Sequence, residues 1–179
     1  MYTRVLLGNL SLERVVFKKK FGFSGKWKIL TKGGNLDSIA RQFLWHVGEE
    51  YRHGTGHGVG YFLNVHEGPC QIGGALNKPV LSHGVTVSNE PGYYLKDKFG
   101  IRIENVLLTL TDEKDNDSLC FENVTMVPYE IELLDFNLIS EDFRNYINDY
   151  HQKVFDIISP QISEDKIAME YLKRKTLKI

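Results

Sequence analysis

The stretch RHGTGHGVGYFLNVHEGP, residues 52–69, is the most informative part of this chain. Glycine stands at positions 54, 56, 58 and 60, and each glycine costs a helix about 1 kcal/mol relative to alanine. We therefore predict an extended segment with close backbone packing rather than a helix. The same stretch places His53, His57 and His66 within fourteen residues, which makes it the first place to look for chemistry.

The sequence on the N-terminal side of this stretch predicts one clear helix. Asn35 is the expected cap, apolar residues follow it at helical spacing, and Gly48 is expected to end the helix. Residues 2–7 (YTRVLL) are consistent with a strand. Residues 14–32 carry seven basic and no acidic side chains, with aromatic residues between them, which would suit RNA contact. A solvated charge run is the commoner explanation, so nucleic acid is not the favoured partner.

The C-terminal side predicts strands followed by helices. Apolar and polar residues alternate around Val85 and Ile101, a third strand is predicted at residues 124–127, and the polar residues 111–118 are expected to connect strands. Ser140 is the expected cap of one helix, and a second helix is expected to start near Ser163. This succession predicts an α+β fold.

Composition limits the class of protein. The chain has 179 residues, of which 42% are hydrophobic and 25% are charged, and its net charge is −1. These values are ordinary for a globular domain and exclude a chain attracted as a whole to nucleic acid or anionic membrane. Two cysteines make no disulfide framework, and no apolar run reaches 18 residues. We expect a soluble, cytoplasmic protein with no membrane partner.

The histidines have two acidic residues downstream that could share their chemistry. Imidazole nitrogen and carboxylate oxygen suit Zn, Mn, Co or Fe, and Glu90 and Glu104 offer the carboxylates. The spacing of His53 and His57 is not a helical zinc motif, because Gly54 stands where that motif has glutamate. The alternatives are a solvated strand face for Glu104 and a turn glutamate for Glu90.

Three motifs carry a resemblance to a known family: HGTGHGVGYFLNVHEGP at 53–69, NEPGYY at 89–94 and GIRIENV at 100–106. Together they resemble the M24 metallopeptidases with the pita-bread (creatinase/aminopeptidase) fold, and within them the eukaryotic cytosolic Xaa-Pro aminopeptidases. The resemblance runs from about residue 36 to the C-terminus. It implies the C-terminal portion of that fold, an antiparallel curved sheet flanked by helices.

The resemblance also implies roles for seven residues. It implies metal binding by three of them, with the last bridging two ions: His57, Glu90 and Glu104. It implies catalytic or substrate-binding positions beside the metals for four more: His53, His66, Tyr94 and Arg102. In the family, two divalent ions, commonly Mn or Zn, hold a water that attacks the peptide bond before proline. The implied substrate is a peptide with proline at position two, and the implied assembly is a homodimer.

The chain also departs from the family pattern. The family has two further aspartate ligands upstream, whereas the only aspartate in residues 1–56 is Asp37, inside the predicted helix. Residues 2–5 resemble the family sequence that directly follows the second of these aspartates. We therefore expect residues 1–179 to be a partial M24 catalytic domain, with the metal-site half at 36–110 and a C-terminal strand and helices at 111–179. We expect this chain to be inactive alone.

Two other functions fit the same residues less well. A non-enzymatic pita-bread module that binds peptide or protein is the main alternative, but such relatives lose ligand residues and this chain keeps three. A methionine aminopeptidase is the nearest alternative inside the family, and the text HGTGHGVG with NVHEGP fits it less well.

Overall fold

In the computed structural model of the chain, residues 1–21, 29–74 and 80–179 are described. They form two compact units, essentially residues 3–124 and 125–179. The helices are α1 (Tyr2–Glu13), α2 (Gly33–Trp45), α3 (Glu141–Ile158) and α4 (Lys166–Lys175). The strands are β1 (Phe17–Lys18), β2 (Lys20–Phe21), β3 (Ile29–Leu30), β4 (Gly56–Gly58), β5 (Glu67–Ile72), β6 (Thr86–Asn89), β7 (Gly92–Leu95), β8 (Phe99–Arg102), β9 (Asn105–Asp112) and β10 (Asp115–Asn123).

The first unit is built on a six-stranded antiparallel sheet. Its strand order is β1-β10-β9-β6-β4-β5, and two further antiparallel pairs join β2 to β3 and β7 to β8. Its hydrophobic core unites side chains of α1, α2 and the sheet: Leu12, Phe17, Leu36, Ala40, Ile72, Leu81, Val87, Leu107 and Leu119. Among the described residues, no helix is both long and apolar enough to cross a bilayer.

The strand predicted at residues 2–7 is wrong, because these residues begin helix α1. Val5, Leu6 and Leu10 are fully buried, and so is Asn9, so the helix is buried on several sides. A helix buried on several sides shows no clear amphipathic period, and a short apolar run does not separate a strand from a buried helix.

Helix α2 confirms the predicted apolar face, since Leu36, Ala40 and Leu44 are buried. Its start differs from the prediction. Asn35 lies in the first turn rather than at the cap, and its side-chain oxygen accepts the backbone N–H of Lys32 at 2.9 Å. This hydrogen bond gives a partner to the Lys32 N–H, one of the backbone donors that have no partner within the helix at its start.

The hairpin connection predicted at 111–118 is present but shorter, since only residues 113–114 form the turn between β9 and β10. The strand predicted at residues 124–127 is wrong, because β10 ends at Asn123. The polar residues belong to a strand because they find partners there. Asp115 pairs with Lys18 and accepts the Ser118 hydroxyl at 2.6 Å. The hydrogen bond from Lys18 is the main reason why the pKa of Asp115 falls to about 2.

Part of the basic segment at 14–32 also serves this hairpin. The Lys19 ammonium donates to the Asn116 carbonyl at 2.6 Å and to the Thr111 hydroxyl at 3.2 Å. Residues 22–28 lie outside the described residues, so the predicted RNA-contact alternative for this segment stays a prediction.

The second unit contains α3 and α4. Ser140 caps α3 as predicted, and its hydroxyl accepts the Phe143 N–H at 3.3 Å. Helix α4 begins later than the expected Ser163, because Asp165 is the cap and accepts the N–H groups of Ile167 and Ala168, both at 3.0 Å.

A buried histidine makes the stability of the second unit depend on pH. His151 is fully buried, and its Nε2 accepts the Tyr129 N–H at 3.0 Å. Burial lowers its pKa below the ordinary 6.5. The unfolded chain therefore binds the proton more readily, so this contribution to stability is complete above about pH 6.5 and is lost as pH falls below it.

We expect the free energy of unfolding to fall between pH 7.5 and 5.5, and to fall less in a His151→Gln variant. Urea denaturation followed by circular dichroism at both pH values measures this difference. The exposed His83 supplies the matched control variant, His83→Gln. Equal pH dependence in wild type and His151→Gln would contradict the prediction.

Candidate metal centre

The two candidate carboxylates lie opposite each other on one antiparallel ribbon. Strands β6 and β9 pair up to Asn89 with Asn105, and β7 and β8 pair from Gly92 with Arg102. The same register runs through the break, so Glu90 stands opposite Glu104. The sequence suggested that the strand ends and turns at Glu90, but the ribbon continues beyond Pro91 in β7.

The register also decides which side chains share a face. Because side chains alternate along a strand, residues two apart lie on the same face. Glu90 and Tyr94 on one strand therefore share a face with Arg102 and Glu104 on the other. Like charges directly opposite each other destabilise a ribbon unless a cation or donor lies between them.

Strand β4 brings His57 to this face through a close backbone approach. A Cβ atom on Gly56 would lie 1.8 Å from the Ser88 carbonyl oxygen, so only glycine fits there. The predicted extended segment with close packing is confirmed, and its glycines explain how the histidine reaches the ribbon.

Within the described part of the chain, one group of at least three His, Cys, Asp or Glu side chains could hold a metal ion. Its members are His57, Glu90 and Glu104. One ligand atom from each lies within 4.8 Å of the other two, which confirms the convergence expected from the motifs. His57 Nε2 is 3.1 Å from Glu90 Oε1. Because Nδ1 donates to the Gly58 carbonyl at 2.9 Å, the Nε2 lone pair of neutral imidazole faces the carboxylate. Two acceptors at this distance fit a cation between them.

Two residues that the sequence reasoning missed support the cluster. Ser88 is fully buried, donates to Glu90 Oε1 at 3.0 Å and accepts the His57 N–H at 3.0 Å. It stands two residues before Glu90 on the same strand, so strand alternation could have identified it. Gln71 pairs with His57 across β4 and β5, where an irregular register hides the pairing from sequence.

His53, Tyr94 and Arg102 form a hydrogen-bonded chain beside the cluster. The Arg102 Nε donates to the Tyr94 hydroxyl at 2.8 Å, and that hydroxyl lies 2.9 Å from His53 Nε2. His53 Nδ1 donates to the Gly54 carbonyl at 2.8 Å, and the Tyr94 hydroxyl, whose oxygen accepts from Arg102, donates its hydrogen bond to His53 Nε2. Arg102 Nη1 is also 3.4 Å from Glu90 Oε2. The bond to Tyr94, followed by the nearby carboxylates, raises the pKa of Arg102 and keeps it charged.

His66 lies against His57, with the two ring centroids 4.3 Å apart. One pocket joins most of these residues. It is lined by His53, Gly54, Gly56, His57, His66, Gln71, Glu90 and Arg102. The structure therefore gathers the histidines, Glu90 and Arg102 on one concave surface.

The loop that carries His53 is fixed by helix α2. The buried Arg41 donates to the backbone carbonyls of Tyr51 and His53, both at 2.8 Å, and pairs with Asp37 at 2.6 Å and with Glu50. Burial opposes the charge on Arg41, but its hydrogen bonds to these carboxylates raise its pKa overall. Asp37, the aspartate noted in the sequence, thus serves this loop.

An Arg41→Met variant should test this support. We expect it to lower the free energy of unfolding by about 2 kcal/mol, below the range for a fully buried pair because Glu50 stays half exposed. Urea denaturation measures the change, and Arg52→Met, at an exposed arginine next to His53, is the matched control. Equal loss in both variants would contradict the prediction.

The chain matches two regions of one peptidase family. Residues 25–110 match "Metallopeptidase family M24" and residues 117–179 match the "C-terminal region of peptidase_M24". A "Probable Xaa-Pro aminopeptidase P" of Phaeosphaeria nodorum is 50% identical over 182 residues, covering 98% of this chain and 26% of that protein. The protein of the same name from Coprinopsis cinerea is 45% identical over 185 residues, covering 99% and 28%. The chain thus spans about a quarter of these relatives.

Solved structures agree with the sequence matches. The X-prolyl aminopeptidase of Caenorhabditis elegans, described as a cytosolic enzyme with a di-nuclear active site, superposes with a TM-score of 0.88 at 33% identity. The match covers 99% of this chain and 28% of that chain. The X-Pro aminopeptidase of Thermotoga maritima gives a TM-score of 0.53 at 31% identity over 72% of this chain and 31% of its own. The expected pita-bread α+β fold is confirmed, and the chain belongs to the M24 family of metallopeptidases.

Proposed function

We propose that this chain carries the metal-site portion of a metal-dependent aminopeptidase that releases the N-terminal residue from Xaa-Pro peptides. The convergence of one imidazole and two opposed carboxylates within 4.8 Å carries the proposal. The names of the relatives support the substrate class, a peptide with proline at position two.

His57, through Nε2, together with Glu90 and Glu104, would hold the metal. Nitrogen and carboxylate oxygen donors fit Mn or Zn, and we infer two ions when the two family aspartates complete the set. Bound divalent ions supply a hydroxide near neutral pH and stabilise negative charge on the substrate carbonyl. The buried Ser88 holds Glu90 Oε1, so this carboxylate is oriented before any ion binds.

The remaining residues have roles in substrate binding and proton transfer. Arg102 orients the Tyr94 hydroxyl, and that hydroxyl donates to His53, so the three act as one unit beside the ligands. His66 lies against His57 and can carry a proton to the leaving nitrogen of proline. We infer that residues 36–110 form the metal-site half, that residues 111–179 supply the C-terminal strand and helices, and that the protein is cytoplasmic.

A chimera tests the proposal. The part of the Phaeosphaeria nodorum relative that precedes the aligned region is fused to this chain, and hydrolysis of an Xaa-Pro peptide is measured with Mn²⁺. We expect turnover in the chimera and a loss of at least about 10³-fold with Glu90→Gln, because ligand loss removes the hydroxide source. His83→Gln, away from the centre, should keep full turnover. A well-folded chimera with intact metal content and no turnover would contradict the proposal.

A further inference from the structure

A buried polar cluster lies on the opposite face of the ribbon from the candidate metal centre. We call it the amide cluster: Asn9, Glu13, Asn89, Asn105 and Asn123, all no more than 6% exposed. Asn9 and Glu13 come from helix α1, and the others come from strands β6, β9 and β10. Buried polar groups specify local geometry when their hydrogen bonds are made.

One side chain of this cluster bridges the two strands that carry the carboxylates. Asn9 Nδ2 donates to the Asn89 carbonyl at 2.9 Å and to the Ile103 carbonyl at 3.2 Å. Asn89 directly precedes Glu90, and Ile103 directly precedes Glu104. A single amide group therefore ties together the backbone just before each candidate ligand.

The orientation of Asn9 is itself fixed. Its Oδ1 accepts from Asn105 Nδ2 at 3.1 Å, and Asn89 Nδ2 donates back to the Asn9 carbonyl at 2.9 Å. Glu13 Oε2 accepts from Asn105 at 3.3 Å and from Asn123 at 3.0 Å. The side-chain oxygen of Asn9 is thus occupied by a donor, which leaves its NH₂ group toward the two carbonyls.

Asn9 binds where one of the ribbon's own bonds is missing. The Ile103 N–H donates to the Pro91 carbonyl at 3.3 Å, but Pro91 has no N–H to return to the Ile103 carbonyl. That carbonyl accepts from Asn9 Nδ2 instead. Asn9 also binds the Asn89 carbonyl, on the other strand, so it replaces the missing bond and joins the two strands.

We propose that Asn9 is a positioning residue, which sets the separation of Glu90 and Glu104 by binding the carbonyls of Asn89 and Ile103. The expected effect of Asn9 on metal affinity rests on the proposed metal centre. Its expected effect on the separation of Glu90 and Glu104 rests on the backbone geometry alone. Groups behind metal ligands typically change metal affinity by 10–100-fold when they are lost.

Crystal structures and Mn²⁺ titrations of an Asn9→Leu variant test the proposal. We expect the separation of the Glu90 and Glu104 Cα atoms to change by more than about 0.5 Å, the tolerance of a preorganised site, and Mn²⁺ affinity to fall about tenfold. Leu10→Ala is the matched control, because Leu10 is the next residue of α1 and is fully buried. It should lose stability through its cavity while keeping the separation and the affinity.

The outcomes separate this inference from the proposed function. An unchanged Cα separation in Asn9→Leu, or an equal change in Leu10→Ala, would overturn the positioning role whether or not metal binds. A wild-type chain with no Mn²⁺ affinity would count against the metal centre, and the crystal structures would still decide the positioning role. If Asn9→Leu does not fold, Asn9→Ser leaves room for water and is measured in the same way.

Discussion

Replacing His66 with alanine in the active chimera is expected to lower turnover of an Xaa-Pro peptide by about 10²–10⁴-fold, the usual loss when a general acid or base is removed. The ring of His66 lies 4.3 Å from that of His57, close enough to exchange protons with groups at the centre. Bound metal should stay near the wild-type level, because His57 and the two glutamates form the ligand cluster without His66.

Metal analysis of the purified variant and steady-state kinetics give the two readouts. A His46→Ala variant, at an exposed histidine after α2, is the matched control and should keep both. Loss of metal together with turnover would show that His66 is a ligand, and unchanged turnover would remove it from the proton-transfer step.

The sequence predicted the site better than it predicted the elements around it. The resemblance of three motifs to the M24 family implied that His57, Glu90 and Glu104 form one group, and the structure places a ligand atom of each within 4.8 Å of the other two. The contact of Arg102 with Glu90 forms because the ribbon continues past Pro91. The sequence Pro91-Gly92 predicted a turn there instead.

The wrong assignments have a physical cause in long-range packing. The N-terminal helix is buried on several sides, so its sequence shows no helical period, and its Asn9 serves carbonyls 80 and 94 residues away. Asp115 lies in a strand, and its ion-pair partner Lys18 is 97 residues earlier in the chain. A local sequence pattern does not predict contacts between residues this far apart, so the amide cluster could not be predicted from the sequence.

The 179-residue polypeptide by itself is expected to hold one divalent ion, weakly, and to show no turnover of an Xaa-Pro peptide. Three protein donors and water can complete one coordination sphere, whereas each ion of a pair needs several protein ligands. The two aspartates that complete the set in the family have no counterpart in residues 1–179 by resemblance.

Two side chains of this chain partly offset the charge of Glu90. Glu90 and Glu104 stand opposite each other as like charges, and Arg102 Nη1 at 3.4 Å with the Ser88 hydroxyl at 3.0 Å offsets part of the repulsion at Glu90. One added cation should relieve more of the repulsion, so Mn²⁺ should raise the thermal midpoint of the wild type and leave that of Glu104→Gln almost unchanged.

The number of ions held by the chain is tested by its metal content after dialysis against Mn²⁺ or Zn²⁺, measured together with peptide hydrolysis. Two tightly held ions per chain with clear turnover would show that the residues of this chain alone suffice for a paired centre.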